Sequence, residues 1–310
     1  MLRFLAFAAL TTPAAALHVM MNGLPGAMGR EIASACLRRE GVGLAPFALT
    51  GPGMAGSVEV DDGSGGQKME VKLYDPEDRD ELAAAALAAF PDPGSLVCVD
   101  FTHPSAVNGN AEWYAKHKLP FVMGTTGGDR EALMSCVETS GTYAVIAPNM
   151  AKQIVALQAA LEQMAEDFPG SFSGYSLQVV ESHQSTKADT SGTAKAISRS
   201  LATLTAEAKT FLDDDIVRVR DTQQQLDGGG TTHRGVSPVP EAALKGHAFH
   251  TYSLVSGDGN VEFQFRHNVA GRSTYAEGTV DACAFLASRV AAKASQTVFD
   301  MVDVLKAGEM

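Results

Sequence analysis

One segment of the chain reads Val179-Val-Glu181-Ser-His183-Gln-Ser-Thr-Lys187-Ala-Asp189-Thr-Ser191-Gly192-Thr193. His183 and Lys187, an imidazole and an ammonium four residues apart, stand in the polar loop of that segment. Ser191, Gly192 and Thr193 stand where a helix begins, because Ala194, Ile197, Leu201 and Leu204 follow at helical spacing. The first N–H groups of a helix have no partner within it and attract negative charge, so this start suits a carboxylate ligand. The residues alone leave a plainer reading open, in which Ser191 or Thr193 only caps the helix and His183 and Lys187 are surface residues.

A second group lies near the amino terminus. Gly23, Gly26 and Gly29 follow the apolar run Leu17 to Met21 and open a segment with Met28, Ile32 and Cys36 at i, i+4 and i+8. Strand, glycine turn and helix in that order let a backbone approach a pyrophosphate, which then meets the open N–H groups of Ala27, Met28 and Gly29. The spacing departs from the common G-x-G-x-x-G, and a structural turn is the alternative reading. NAD-specific sites carry Asp or Glu at the end of the second strand to bind the ribose. Here the chain reads Ala48-Leu-Thr50-Gly-Pro-Gly53, and no carboxylate follows until Glu59. Nothing there repels a 2′-phosphate, so NADPH is expected, with NADH tolerated. Arg30 and Arg38 are the cations near in sequence.

These groups need a scaffold. Apolar strand candidates at Leu17 to Met21, Leu44 to Leu49, Met69 to Tyr74, Leu96 to Phe101, Pro120 to Met123 and Tyr143 to Ile146 are separated by helical stretches at 79 to 89, 105 to 117 and 129 to 138. That succession predicts a parallel sheet covered by helices on both faces. From Met150 the pattern changes to a long helix ended by Pro169-Gly170. Strands with period-two alternation follow at Ser176 to Glu181, His250 to Leu254 and Val261 to Arg266, which indicate a sheet with one wet face. Asp227 to Gly235 is a loop by composition, and Tyr275 to Leu305 returns to helical spacing. The expected architecture is α/β. A Rossmann-like, doubly wound parallel-sheet domain spans 17–149, is completed by 273–310, and is joined by a smaller α+β domain at 150–272 with a mixed or antiparallel sheet.

A length of 310 residues fits two domains. The 24 Lys and Arg against 36 Asp and Glu give a net charge of −12, the wrong sign for holding a phosphate backbone, so neither nucleic acid nor an anionic membrane is an expected partner. Cys36, Cys98, Cys136 and Cys283 share no short spacing, and no metal site is expected. Residues 1–16 have the shape of a targeting segment: one charge at Arg3, an apolar run, then small residues. Of the other histidines, His18, His117, His247 and His250 read as structural or surface, while His267 shares the parity of Phe263 and Phe265. Asp100 ends a buried strand and reads as a holder of backbone N–H groups.

Taken together, these segments resemble the dihydrodipicolinate reductases of lysine and diaminopimelate biosynthesis. The resemblance rests on Asn22-Gly-Leu-Pro-Gly-Ala-Met-Gly-Arg30, Val99-Asp-Phe-Thr-His-Pro104, Val122-Met-Gly-Thr-Thr-Gly127, Ala147-Pro-Asn-Met150, Glu181-Ser-His-Gln-Ser-Thr-Lys187, Ser191-Gly-Thr193 and His267-Asn-Val-Ala-Gly-Arg272. They run in family order, and the wording of 165 to 195 is similar to the plant and algal branch. The resemblance implies NAD(P)H-dependent reduction of 4-hydroxy-tetrahydrodipicolinate, a cyclic imine dicarboxylate that loses its hydroxyl as water and accepts hydride. It implies His183 and Lys187 as proton donors, with His183 also protonated to attract the substrate. Ser191, Gly192, Thr193 and Arg272 would hold that substrate. Gly23, Gly26, Ala27, Met28, Gly29, Phe101, Thr102, Gly124, Thr125, Thr126, Pro148, Asn149 and Met150 would line the cofactor. A homo-oligomer, dimer or tetramer, and a plastid location follow from the same likeness, with the cytoplasm as the alternative. Bacterial members read His-His-Arg-His-Lys where this chain has His183-Gln184-Ser185-Thr186-Lys187, so the inner basic residues are absent. The competing readings are a cofactor-binding sensor without catalysis and another imine or carbonyl reductase of the aspartate pathway.

Overall fold

The computed structural model describes residues 17–206, 210–228 and 236–308. The expected targeting segment, 1–16, and residues 229–235 of the expected loop lie outside the described residues.

A strand covered on both faces needs apolar residues at successive positions. Strand β1 (Leu17–Asn22) meets that need with Val19, Met20 and Met21 fully buried. Helix α1 (Ala27–Arg38) buries Ile32, Ala33, Ala35 and Cys36. The single strand expected at Leu44 to Leu49 is two strands, β2 (Val42–Leu44) and β3 (Phe47–Leu49), interrupted at Ala45 and Pro46. Proline has no N–H for a ladder, which is why the pairing breaks there. β2 runs parallel to β1, whereas β3 joins a second sheet with β4 (Gly56–Asp61) and β5 (Lys68–Tyr74), in the order β3-β5-β4. β4 was not foreseen, since only Val58 and Val60 of its six residues are buried.

Helix α2 (Arg79–Ala89), strand β6 (Leu96–Asp100), helix α3 (Val107–His117), strand β7 (Phe121–Met123), helix α4 (Arg130–Ser140) and strand β8 (Ala144–Ile146) continue the alternation. There follow α5 (Lys152–Asp167), β9 (Tyr175–His183), α6 (Gly192–Thr205), β10 (Val217–Val219), α7 (Thr222–Leu226), β11 (His247–Ser256) and β12 (Glu262–Ala270). The expected carboxyl-terminal helix is two, α8 (Ser273–Ala291) and α9 (Met301–Ala307), separated by β13 (Val298–Phe299). Asp300 starts the second one by accepting the N–H groups of Val302 and Asp303.

The main sheet has the order β13-β8-β7-β6-β1-β2. β1 lies between two parallel neighbours, β2 and β6, and the chain leaves it first to one side and then to the other. The carboxyl end of such a strand is where open α/β sheets bind ligands. A further sheet, β10-β9-β11-β12, is mixed: β10 is parallel to β9, and β11 is antiparallel to β9 and β12. Its inner face packs Leu177, Val179, Tyr252 and Leu254 against Leu161, Ile197 and Leu201 of the helices.

The chain divides into two compact units. The first comprises the described residues up to Val122 together with Gly127–Ala144 and Leu286–Thr297; the second comprises Met123–Thr126, Val145–Phe285 and the residues from Val298 on.

Candidate active site

In the first unit, β1 ends at Asn22, whose buried side chain accepts the Leu49 N–H at 2.8 Å and donates to the Tyr114 hydroxyl at 2.8 Å. Tyr114 donates in turn to the Asp100 carboxylate at 2.9 Å, which also accepts from Asn110 and from both the N–H and hydroxyl of Thr102. Asp100 is fully buried, and its bonds are those of a loop holder, as its place in the sequence suggests. The network locks the ends of β1, β3 and β6 around one turn. At that turn Gly23 has φ +103°, and a Cβ on it would sit 2.4 Å from the Phe101 carbonyl oxygen. The α1 helix starts at Gly26 with no side-chain cap and no acidic residue in its first turn, so its N–H donors stay open to an anion.

Beside this turn lies a cavity of about 840 Å³. Gly23 to Gly26, Leu49 to Pro52, Met54, Pro76, Arg79, Phe101 to His103, Ser105, Ala106, Gly109 and Asn110 line it. Those donors and that volume suit a dinucleotide. Of the expected cofactor residues, Gly23, Gly26, Phe101 and Thr102 line the cavity, and Ala27, Met28 and Gly29 form the first turn of α1. No carboxylate lines it; that of Asp75 is taken by the N–H groups of Gly53 and Met54. The nearby cations of the sequence are engaged elsewhere, Arg30 by the carbonyls of Pro25 and Glu59, Arg38 by the carbonyl of Asp62. Arg79, which the sequence did not single out, lines the cavity and has no ion pair to a described residue.

In the second unit, alternate residues of β9 place Leu177, Val179 and Glu181 on one face. The register sets Glu181 beside His250 of β11 and His250 beside His267 of β12. The apolar face thus ends in a polar cluster. His183 Nε2 and His250 Nε2 are 2.9 Å apart, and His250 Nδ1 is 2.9 Å from the Tyr252 hydroxyl. The His267 ring lies 4.5 Å from that of His250, and neither of its buried nitrogens has a hydrogen-bond partner among the described residues. Glu181 is fully buried, pairs with the Arg220 guanidinium and accepts the Ser191 N–H at 2.9 Å.

Helix α6 opens at Ser191 with neither a side-chain cap nor an acidic first turn. Thr193 accepts from Asn149 at 3.1 Å, which links the Pro148-Asn149-Met150 turn to this helix start. Lys187 holds Asp189 at 2.7 Å. Arg272 lies against Gly246, its guanidinium without a hydrogen bond or ion pair to a described residue. Gly124, Thr125 and Thr126 form the loop after β7.

Burial drives the His183 imidazole down to about 3, with the charges of Arg220, Lys187 and His247 acting the same way against a smaller contrary pull from the His247 backbone. The protonated His183 expected from the resemblance is therefore replaced by a neutral one, because desolvation penalises the cation. His250 is held far below its ordinary value by burial, then by its neighbours His267, His183, Arg220 and Lys187. His250 is thus no surface residue, and its pairing with His183 could not be read without the register of β9 on β11.

Ligand atoms of Glu181, His183 and His250 lie within 4.8 Å of one another. Arg220 and the Ser191 N–H already occupy Glu181, and a neighbouring guanidinium opposes a metal cation. Spacing does not bring Arg220 to Glu181, since Arg220 lies just past β10 and 39 residues further along the chain.

Known proteins were compared with the whole chain. The family described as "Dihydrodipicolinate reductase, N-terminus" matches residues 17–150, and "Dihydrodipicolinate reductase, C-terminus" matches residues 153–305. A chloroplastic 4-hydroxy-tetrahydrodipicolinate reductase 1 of Arabidopsis thaliana is 45% identical over 299 residues, covering 96% of this chain and 80% of the relative. A probable chloroplastic 4-hydroxy-tetrahydrodipicolinate reductase 2 of Oryza sativa subsp. japonica is 44% identical, with 94% and 84% covered. The solved structure of a dipicolinate-bound dihydrodipicolinate reductase from Paenisporosarcina sp. TG-14 is similar in fold, with a TM-score of 0.57 at 18% identity over 92% of this chain and 97% of that one.

Proposed function

The chain belongs to the dihydrodipicolinate reductase family, and on that premise we propose that it reduces 4-hydroxy-tetrahydrodipicolinate to tetrahydrodipicolinate with loss of water, in lysine biosynthesis through diaminopimelate. One observation carries the substrate assignment. The second unit keeps an uncapped helix start at Ser191 and, at Arg272, a guanidinium that no described residue engages, two anion-binding devices for a substrate with two carboxylates. A carboxylate is held by the N–H groups at Gly192 and Thr193, and the Arg272 fork takes a carboxylate in bidentate fashion.

The Lys187 ammonium donates the proton that completes reduction, and neutral His183 orients and relays it. The open end of α1 and the glycine turn hold the pyrophosphate of a reduced nicotinamide dinucleotide. The bound dinucleotide supplies the hydride. Gly124, Thr125, Thr126, Pro148, Asn149 and Met150 serve its nicotinamide end in this reading.

NADPH is the preferred coenzyme, a reading supported by the absence of a carboxylate among the described residues of the cavity lining and by the presence there of Arg79, a cation with no ion pair to a described residue. This moves the 2′-phosphate contact from Arg30 and Arg38 to Arg79. In Arg79→Ala, NADPH affinity measured by calorimetry is expected to fall about tenfold with NADH affinity unchanged, the scale of one charge-assisted contact. An unchanged NADPH-to-NADH ratio would remove Arg79 from the reading.

The compartment is the plastid, supported by the chloroplastic relatives; a reporter fused to residues 1–30 that stayed in the cytosol would contradict it. Copies associate as a dimer or tetramer, and a sedimentation experiment showing only monomer would exclude that. The function itself is tested by the loss of reduced-nicotinamide absorbance when a dihydrodipicolinate synthase makes the substrate in place from pyruvate and aspartate semialdehyde. Oxidation that needs the synthase is expected. Tight NADPH binding without oxidation would favour a sensor instead.

A further inference from the structure

The loop that carries Lys187 spans Gln184 to Thr190 and has no secondary structure of its own to hold it in place. Its inner positions Gln184, Ser185 and Thr186 carry no charge. Inside it the Lys187 N–H donates to the Gln184 carbonyl at 2.9 Å and the Lys187 ammonium to Asp189 at 2.7 Å, and from outside Arg218 of β10 donates to the Ala188 carbonyl at 3.3 Å. Arg220, just past β10, donates from Nε to the Lys187 carbonyl at 2.8 Å and from one terminal nitrogen to the Asp189 carbonyl at 3.2 Å. That nitrogen also meets Glu181, and the other terminal nitrogen reaches the Val219 carbonyl at 3.2 Å. Glu181 completes the frame, its second oxygen accepting the Ser191 N–H at the far end of the loop.

We propose that Arg220 and Glu181 form a positioning clamp that sets where Lys187 and the α6 helix start meet the substrate, without touching the substrate themselves. The inference rests on the reductase reading above and adds to it two residues that do not lie in the loop.

The geometry requires this particular pair. A fully buried carboxylate is costly unless it is paired, and among the described residues Arg220 is its charged partner, His183 at 3.9 Å being neutral. The same guanidinium then has donors left over, arranged in a plane, which a backbone running past it can use as acceptors. A lysine would keep the charge and lose the fork. The carbonyls of Lys187 and Asp189 both turn back toward Arg220, while the Lys187 ammonium pairs with the Asp189 carboxylate inside the loop. The clamp therefore fixes backbone at both ends of a segment that would otherwise lose conformational entropy on every substrate encounter.

The test uses the full chain and two readouts, steady-state reduction and calorimetric binding of dipicolinate, a planar dicarboxylate. In Arg220→Ala, kcat/KM for the substrate is expected to fall about 100-fold, the cost of a displaced catalytic group, with NADPH affinity within about twofold of wild type. Added guanidinium should restore part of that loss, and methylammonium at the same concentration should not. Kinetics within about twofold of wild type would overturn the clamp, as would equal rescue by both cations. Should Arg220→Ala fail to fold, Arg220→Lys decides: a loss of about tenfold or more in kcat/KM supports the fork, and full activity overturns it. If wild type binds dipicolinate but reduces nothing, the reductase reading fails, while weaker dipicolinate binding in Arg220→Lys would still uphold the clamp.

Discussion

At the scale of single residues, the site separates groups that donate from groups that hold. With Lys187 proposed as the proton donor, Lys187→Ala should lower turnover by about 10²- to 10⁴-fold, the usual worth of a general acid, while NADPH affinity measured by calorimetry stays nearly intact. A variant with full turnover would take Lys187 out of the mechanism. Behind His183 runs a chain through His250 to the Tyr252 hydroxyl. If Tyr252 donates to His250 Nδ1, then His250 donates from Nε2 and His183 Nε2 is left as the acceptor. Tyr252→Phe keeps the ring and removes that bias. We expect about tenfold lower kcat, an unchanged KM and a displaced limb in the pH profile of kcat; a wild-type profile would mean that the tyrosine only packs. His183, Lys187 and the Ser191 start were legible because they follow one another in the sequence. Arg220 and His250 were not, because they lie far along the chain, just past β10 and on β11, and only the sheet pairing brings them to β9; Glu181 lies in the same segment, but its role depends on Arg220.

At the scale of elements, the two helix starts proposed to bind anions lack a side-chain cap. α1 opens at Gly26 and α6 at Ser191, neither with a side-chain hydrogen bond and neither with an acid in its first turn. By contrast α4 and α9 are capped by Asp129 and Asp300. Open N–H groups cost stability, but α3 and α5 also start without a side-chain cap or a first-turn acid, so it is the glycine turn before α1 and the polar loop before α6 that set these two starts apart. Placement of these starts depends on close packing. Gly278 of α8 comes so near Met150 that an added Cβ would lie 1.8 Å from its carbonyl oxygen. Gly278→Ala should therefore destabilise the protein by about 1–3 kcal/mol, read as a lower urea midpoint. An unshifted midpoint would show that the turn at Met150 yields easily. Periodicity revealed α1 and α6 because both have an apolar stripe. It joined β2 to β3, since an apolar run across Ala45 and Pro46 gives no sign that its halves enter different sheets. It missed β4 and β10 because exposed or three-residue strands carry little alternation.

At the scale of the whole molecule, the second unit stores neutral histidines. His183 is held at about 3 and His267 at about 4, both mainly by burial, against an ordinary value of 6.5. The unfolded chain takes up these protons as pH falls below about 6.5, and the folded chain does not until much lower pH. Their contribution is present in full above that value and is lost progressively toward pH 4. Stability by urea unfolding should thus decline from pH 7.5 to pH 5, before the carboxylates respond, and an unchanged midpoint over that range would contradict the neutral cluster. The overall plan was legible in the alternation of apolar strands with helices, and the change of pattern at Met150 marked the start of a different sheet. The carboxyl-terminal division into α8 and α9 was not, because alanine-rich sequence keeps helical spacing across the break. The most direct test of the central claim follows one atom: NADPH carrying deuterium at its transferable position is mixed with enzymatically generated 4-hydroxy-tetrahydrodipicolinate, and the product is weighed by mass spectrometry. Tetrahydrodipicolinate with one deuterium is the expected result. Unlabelled product, or labelled coenzyme left unconsumed, would contradict the account.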